Sequence, residues 1–160
     1  MKISDHFSLR EIEKSQTALR LGIINTITDP EHLLNVSALA QNVLEPLREK
    51  WGPVSISSGY RHPDLCVALG SKPTSSHASA EAADCEMYKS PGNRAVFEWI
   101  INESGISYDQ CILEFEDTSG KDAFQGWLHV SSKRCKSDNR MQILRAVKNN
   151  GKTAYEKGIN

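Results

Sequence analysis

The sequence has no long apolar segment. No run of residues approaches the roughly 18 apolar residues that a membrane-spanning helix requires. The N-terminal stretch 1–14 also lacks the apolar centre of a signal peptide. We therefore expect a protein that is made in the cytosol without an export signal and that does not insert into a membrane.

The chain also lacks the C-x-x-C pairs of cysteine-rich metal sites. Its four cysteines, Cys66, Cys85, Cys111 and Cys135, lie far apart. We expect reduced and mostly buried thiols. Cys85 directly follows Asp84, so on a strand it would face inward while Asp84 faces the opposite side.

The chain has little net charge. A formal charge of −1 gives no overall argument for nucleic acid as a partner, and none is expected. Eight Lys and Arg residues between Lys133 and Lys157 nevertheless stand against only Asp138 and Glu156. This tail either meets an anionic polymer such as cell wall or nucleic acid, or forms an ordinary solvated face, which is the interpretation we favour.

Internal repeats and low-complexity linkers are absent too. The 160 residues, 39% of them hydrophobic and 24% charged, predict a single domain over 1–160. Helix signals dominate about 7–50, and strand signals with one inserted helix dominate about 54–155. This order predicts an α+β fold in which a small antiparallel sheet has helices packed on one side.

Helix boundaries are indicated by capping and stop signals. We predict helices over about 8–21, 30–51 and 90–104, the second one bent at Pro46. The signals are Ser8-x-x-Glu11, Gly22, Asp29-Pro30, Gly52-Pro53, Ser90-Pro91 and Gly105.

Strands are indicated by alternation and by short apolar runs. They are predicted over 54–58, 82–87, 110–115, 127–131, 143–147 and 153–155. The last two flank Asn149-Asn150-Gly151, a hairpin signal. Residues 59–76, rich in Gly, Pro and Ser, predict a long ordered loop.

Three residues have the types and spacing of metal ligands. Asp84 follows His77 by seven residues, and His129 follows Asp84 by 45. Three nitrogen and oxygen ligands with a fourth position open are typical of a catalytic zinc site. Taken singly, His77 fits a surface histidine, Asp84 a cap and His129 a satisfied core residue. The three together favour a metal.

Arg61 is a further candidate for a functional residue. Arg61 ends the segment Ser58–Arg61, in which Gly59 permits a tight turn. Its guanidinium could hold a carboxylate or stabilise an oxyanion, or it could form a surface salt bridge.

A zinc hydrolase also needs a general base. Glu114 is the best candidate because it lies in an apolar strand that we expect to pair with the strand of His129. The alternatives are Asp109, Asp122, or an edge-strand glutamate that faces water, and spacing does not choose among them.

These motifs resemble one known family. Ser-Gly-Tyr-Arg at 58–61, the Ser-x-His to Asp motif at 75–84 and Trp-Leu-His-Val-Ser at 127–131 are similar to the zinc D-Ala-D-Ala carboxypeptidase and L-alanyl-D-glutamate endopeptidase family. These peptidoglycan peptidases share the hedgehog-type fold. The segments 7–12, 42–48 and 109–115 resemble its phage and prophage branch, so the resemblance covers about 7–145.

The resemblance implies roles for individual residues. It implies that His77, Asp84 and His129 bind zinc, that Arg61 holds a substrate carboxylate or carbonyl, and that Ser75 hydrogen-bonds the substrate. The aromatic residues of the same motifs, Tyr60 and Trp127, are further substrate-binding candidates.

The chain departs from the family pattern at two positions. Ala80 replaces the usual glycine of the first histidine motif, so slightly fewer backbone conformations are accessible at this position. Gly126 stands three residues before the last histidine, where many members carry the catalytic Asp or Glu. The base must therefore come from elsewhere, and Glu114 fits this branch.

The function implied is a zinc metallopeptidase that cuts peptidoglycan stem peptides, either as a D-Ala-D-Ala carboxypeptidase or as an endopeptidase. Such a protein would act on the cell wall or in the periplasm, as a phage endolysin released through a holin or as part of a virion. The alternative is a catalytically weak, zinc-containing structural or wall-binding protein of a phage particle.

Overall fold

One six-stranded sheet and six short helices form the computed structural model, which describes residues 1–158. The α-helices are α1 Leu9–Glu13, α2 Gln16–Leu21, α3 Pro30–Leu39, α4 Glu45–Trp51, α5 Pro63–Ala68 and α6 Asn93–Asn102. The strands are β1 Ser55–Ser58, β2 Ala82–Glu86, β3 Gln110–Glu114, β4 Trp127–Ser131, β5 Gln142–Asn149 and β6 Lys152–Lys157.

The strands lie in the order β1-β2-β4-β3-β5-β6. All neighbouring pairs are antiparallel except β3 and β5, which run parallel. The predicted α+β class is thus confirmed, with one parallel pair added. The β5–β6 hairpin is also confirmed, because Asn150 and Gly151 both have positive φ, 49° and 77°, as a tight two-residue hairpin turn requires.

The two faces of the sheet differ in chemistry. Cys85, Cys111 and Val130 face the helices and belong to the main hydrophobic core. Because side chains alternate along a strand, Asp84 and His129 point to the opposite face. All four cysteines are free thiols, and three of them are buried, as predicted.

The predicted first helix is divided in two. The backbone N–H of Ser8 donates to the Glu11 carboxylate at 2.8 Å, so the capping box forms. Lys14 is extended, however, and Ser15 caps a new helix that ends at the left-handed Gly22. The apolar pattern shows no sign of this break.

The predicted second helix continues from α3 to α4 through a wider π-helical turn at Ala40–Leu44. In that turn the N–H of Glu45 donates to the carbonyl of Ala40, five residues earlier. Pro46 lacks an N–H and would clash with the carbonyl four residues before it. The wider turn at Ala40–Leu44 accommodates the proline at the start of α4.

Two other boundaries differ from the prediction. The expected loop at 59–76 contains α5, which begins with Pro63 at its first position, a helix-start signal. The third predicted helix begins at Asn93 and not at Ser90, because Gly92 has φ 136°, outside the helical region. No helix within residues 1–158 has both the length and the apolar character needed to cross a membrane.

Candidate metal centre

The pairing of β2 with β4 brings two of the predicted ligands together. Asp84 lies directly opposite His129 in the antiparallel register, so both side chains rise from the same face of the sheet. A carboxylate oxygen of Asp84 lies 2.9 Å from Nδ1 of His129. A single cross-strand contact therefore joins two residues that are 45 positions apart in the sequence.

The third ligand comes from the loop that precedes β2. His77 is held there at two points: its carbonyl accepts from the N–H of Arg61 at 3.2 Å, and its Nδ1 lies 2.6 Å from the carbonyl oxygen of Gly59. A side chain at Gly59 would place its Cβ 2.6 Å from the carbonyl oxygen of Ile12 in α1. Gly59 is thus required for close packing against α1 and not for the tight turn that we expected.

The three ligand atoms have the separations of a tetrahedral metal site. Nε2 of His77 lies 3.2 Å from both Oδ1 of Asp84 and Nδ1 of His129, and the third edge is the 2.9 Å contact between Asp84 and His129. Zinc bonds of about 2.0–2.2 Å in a tetrahedron place ligand atoms about 3.3 Å apart. His77, Asp84 and His129 are also buried. A zinc ion fits this group with little rearrangement.

Two of the candidate ligands, His77 and Asp84, have the protonation states that a metal needs. Burial lowers the pKa of His77, and the charge of Asp84 only partly offsets this, so the imidazole is neutral at pH 7. Burial acts to raise the pKa of Asp84, but His77 and His129 outweigh it and hold that pKa well below its usual range. Neutral imidazole and ionised carboxylate are the metal-binding forms.

Arg61 orients the carboxylate ligand. Its guanidinium forms an ion pair with the second oxygen of Asp84, and its Nε donates to Oγ of Ser58 at 2.7 Å. Contacts of this kind fix the direction of a metal ligand. Arg61 therefore lies beside the candidate metal centre, with Asp84 as its ion-pair partner.

The ligands line a cavity of about 800 Å³, and Glu114 lines the same cavity. Glu114 is the last residue of β3, beside β4, and is partly buried. Burial, followed by the negative charge of Asp84, raises the pKa of Glu114 to about 7. A carboxylate that exchanges its proton near neutral pH is suited to general base chemistry.

The other predicted site residues divide into two groups. Ser75 and Trp127 line the cavity. Tyr60 was a substrate-binding candidate, but it is only 5% exposed and packs in the hydrophobic core. The backbone explains this burial, since the N–H of Tyr60 donates to the carbonyl of Ile12 in α1 and draws the segment inward.

The two alternative bases are less suitable than Glu114. Asp109 lines the cavity, but both of its oxygens accept from the Arg140 guanidinium, at 2.8 and 2.6 Å. Hydrogen bonding to Arg140 lowers the pKa of Asp109. Asp122 lies in a loop that lines a separate cleft on the protein surface.

The geometry explains why Gly126 carries no carboxylate. Gly126 has φ 78°, and a Cβ on it would lie 1.9 Å from the backbone carbonyl oxygen of Glu114. No side chain fits there. The close contact places the backbone of Glu114 directly beside Gly126.

We expect Gly126→Ala to destabilise the fold by about 2–3 kcal/mol, because it combines left-handed strain with a backbone clash. Gly105→Ala is the matched control, since Gly105 has φ 68° but its added Cβ would meet nothing within 4 Å. Urea denaturation should show a loss of only about 1 kcal/mol for the control. Equal losses for both variants would contradict the proposed close contact.

Several cavity residues were missed by the sequence analysis. Leu144 and Tyr155 reach the cavity from β5 and β6, and Lys133 and Arg140 from the segment between β4 and β5. The alternation in β5 was visible, but its parallel pairing with β3 was not.

Half of the cations in the basic tail have acidic partners. Four of its eight cations form ion pairs: Lys133 with Glu81, Arg134 with Glu31, Arg140 with Asp109 and Arg145 with Glu116. This agrees with a solvated face rather than a free polycation.

Comparison with known proteins gives one match. A family model described as Peptidase M15 matches residues 5–131, which include all three predicted ligands, Arg61 and Glu114. No curated protein matches the chain.

Proposed function

The chain belongs to the peptidase M15 family, and from this we propose that it is a zinc metallopeptidase that hydrolyses the peptide stems of bacterial peptidoglycan. The observation that carries the proposal is that the buried group His77, Asp84 and His129 lines a cavity that Glu114 also lines. A closed structural zinc site would have a fourth protein ligand, whereas this one faces a cavity.

M15 peptidases are zinc-dependent, and this chain has a buried His–Asp–His group able to bind a metal. In our proposal His77, Asp84 and His129 hold the zinc. When bound, zinc supplies a Lewis acid that activates water and polarises a carbonyl.

Glu114 is proposed as the general base. It accepts a proton from the attacking water and transfers it to the nitrogen of the leaving amine. Its pKa of about 7 in the metal-free protein makes both transfers feasible near neutral pH. The positive charge of a bound zinc would lower this pKa and favour the ionised, basic form.

Arg61, Ser75 and Trp127 are proposed to orient the peptide. The guanidinium of Arg61 has more N–H donors than Asp84 and Ser58 use, so it can also bind a substrate carboxylate or carbonyl. Ser75 and Trp127 line the cavity. The buried indole N–H of Trp127 has no hydrogen-bond partner within residues 1–158.

We expect Arg61→Ala to lower kcat/KM on a stem peptide by roughly 10- to 150-fold at saturating zinc, since a charge-assisted contact worth about 1.5–3 kcal/mol is lost. Zinc affinity should fall as well, because Asp84 loses a partner that orients it. Arg134→Ala removes a surface arginine paired with Glu31 and should leave both quantities unchanged. An unaltered rate for Arg61→Ala would rule out its role.

The bond that is cut can be determined directly. Purified peptidoglycan is incubated with the zinc-loaded protein, and the released fragments are identified by mass spectrometry. Release of a terminal D-alanine indicates carboxypeptidase activity, whereas separation of L-alanine from D-glutamate indicates endopeptidase activity. Intact stems after prolonged incubation would contradict the proposed function.

A phage or prophage setting is the finer part of the proposal. It rests on the similarity of the segments 7–12, 42–48 and 109–115 to that branch, with release through a holin or packaging in a virion as its two forms. Because Gly126 supplies no carboxylate, one alternative function remains, that of a zinc-containing structural or wall-binding protein. Co-sedimentation of the protein with peptidoglycan whose peptide stems stay uncleaved would favour that alternative.

A further inference from the structure

The C-terminal hairpin forms one wall of the cavity. Leu144 of β5 and Tyr155 of β6 line it together with all three candidate ligands. Both residues lie beyond residue 131, where the family match ends. This wall of the cavity therefore lies outside the part of the chain that the family model covers.

The strand register aligns Tyr155 with the proposed base. Tyr155 pairs with Ala146, Ala146 with Glu114, and Glu114 with Trp127. Directly paired residues on neighbouring strands point to the same face of a sheet. The four side chains thus form one row across β6, β5, β3 and β4, on the face that carries the metal centre.

The small residue in this row lets its neighbours approach each other. Ala146 is 1% exposed and lies between Tyr155 and Glu114, whose strands are two spacings, or about 9.6 Å, apart. A long side chain on each flank can lean over the alanine methyl group. Tyr155 and Glu114 line the same cavity on either side of this alanine.

The electrostatics agree with this placement. Burial, and after it the negative charges of Glu114 and Asp84, raise the pKa of Tyr155, so its hydroxyl keeps its proton at neutral pH. Tyr155 is nevertheless 59% exposed, so its ring is accessible to a ligand that enters the cavity. A protonated phenol at the edge of a polar cavity is a hydrogen-bond donor with an apolar contact surface.

We propose that Tyr155 is a catalytic residue of this cavity, whose hydroxyl donates a hydrogen bond to the carbonyl oxygen of the scissile peptide bond while its ring packs on the stem peptide. This inference rests on the proposed peptidase function. The donor stabilises the negative charge that develops on that oxygen during attack.

The test compares two tyrosine variants. Tyr155→Phe should lower kcat by about 10- to 100-fold with little change in KM, because it removes only the donor. Tyr155→Ala should also raise KM, because it removes the ring as well. Tyr88→Phe is the matched control: Tyr88 is 60% exposed and bonds to Glu86, and its variant should behave as the wild type.

A second measurement does not depend on turnover. In zinc-loaded Glu114→Gln protein labelled with ¹³C-tyrosine, addition of a stem peptide should shift the Tyr155 resonance and leave that of Tyr88 in place. A wild-type rate for Tyr155→Phe, or a peptide that binds without moving Tyr155, would overturn this inference alone. A wild-type protein that neither binds nor cleaves stem peptides would overturn the proposed function, and this inference with it.

Discussion

Replacing Glu114 with glutamine should lower kcat by roughly 10²–10⁴-fold and leave the zinc content unchanged. The substitution keeps the shape and hydrogen-bonding capacity of the side chain but removes its ability to accept a proton. Zinc should remain bound because Glu114 is not among the three buried ligand candidates. The size of the loss is that expected when general base catalysis is removed and the Lewis acid is retained.

The pH dependence gives an independent test of the same role. Glu114 must be ionised to act as a base, so kcat/KM should rise with pH through the pKa of Glu114. That pKa is about 7 without metal and lower when zinc is bound. In Glu114→Gln the acidic limb of the profile should be lost from any residual activity.

The matched control is Glu86→Gln, which should leave the rate of hydrolysis unchanged. Glu86 and Glu114 are each the last residue of a strand and each partly buried, but only Glu114 lines the cavity. Normal rates for Glu114→Gln together with inactive Asp109→Asn would show that Asp109 is the base. Normal rates for both variants would contradict the proposed mechanism.

Replacing His129 with alanine should abolish zinc binding. The wild-type protein should retain about one equivalent of zinc through purification, and the variant should lose nearly all of it, because two ligands cannot hold the ion tightly. Activity should fall to background for the same reason. Elemental analysis of the purified proteins measures the metal directly.

A thermal measurement separates metal loss from misfolding. Zinc binds the folded protein, so it should raise the Tm of the wild type but not that of His129→Ala. His32→Ala is the control, since His32 lies in α3 outside the cavity and packs near Tyr60. Full zinc retention in both His129→Ala and His77→Ala would exclude the assigned site.

The candidate ligands could be selected from the sequence because residue type and strand alternation are local features. A histidine and an aspartate separated by seven residues, and a histidine within an alternating strand, show their types and approximate facing without any structure. Their proximity could not be derived in the same way. It depends on the register that pairs Asp84 with His129, and register is set by the packing of the whole sheet.

The same limit explains the residues that were missed. Tyr155 reaches the cavity only because β5 runs parallel to β3, a pairing between distant segments. Tyr60 was wrongly placed in the substrate site because its motif neighbour Arg61 lies there, whereas the hydrogen bond to Ile12 draws Tyr60 into the core. Gly126 appeared as a missing carboxylate, but its contact with the Glu114 carbonyl is visible only in three dimensions.

The most direct test of the central claim is zinc reconstitution of peptidoglycan hydrolysis. Protein freed of metal with a chelator is incubated with purified peptidoglycan, and newly formed amino groups are measured as zinc is added. The account predicts no release without metal and full release at about one equivalent of zinc. Equal release by the metal-free protein, or no release at any zinc concentration, would contradict it.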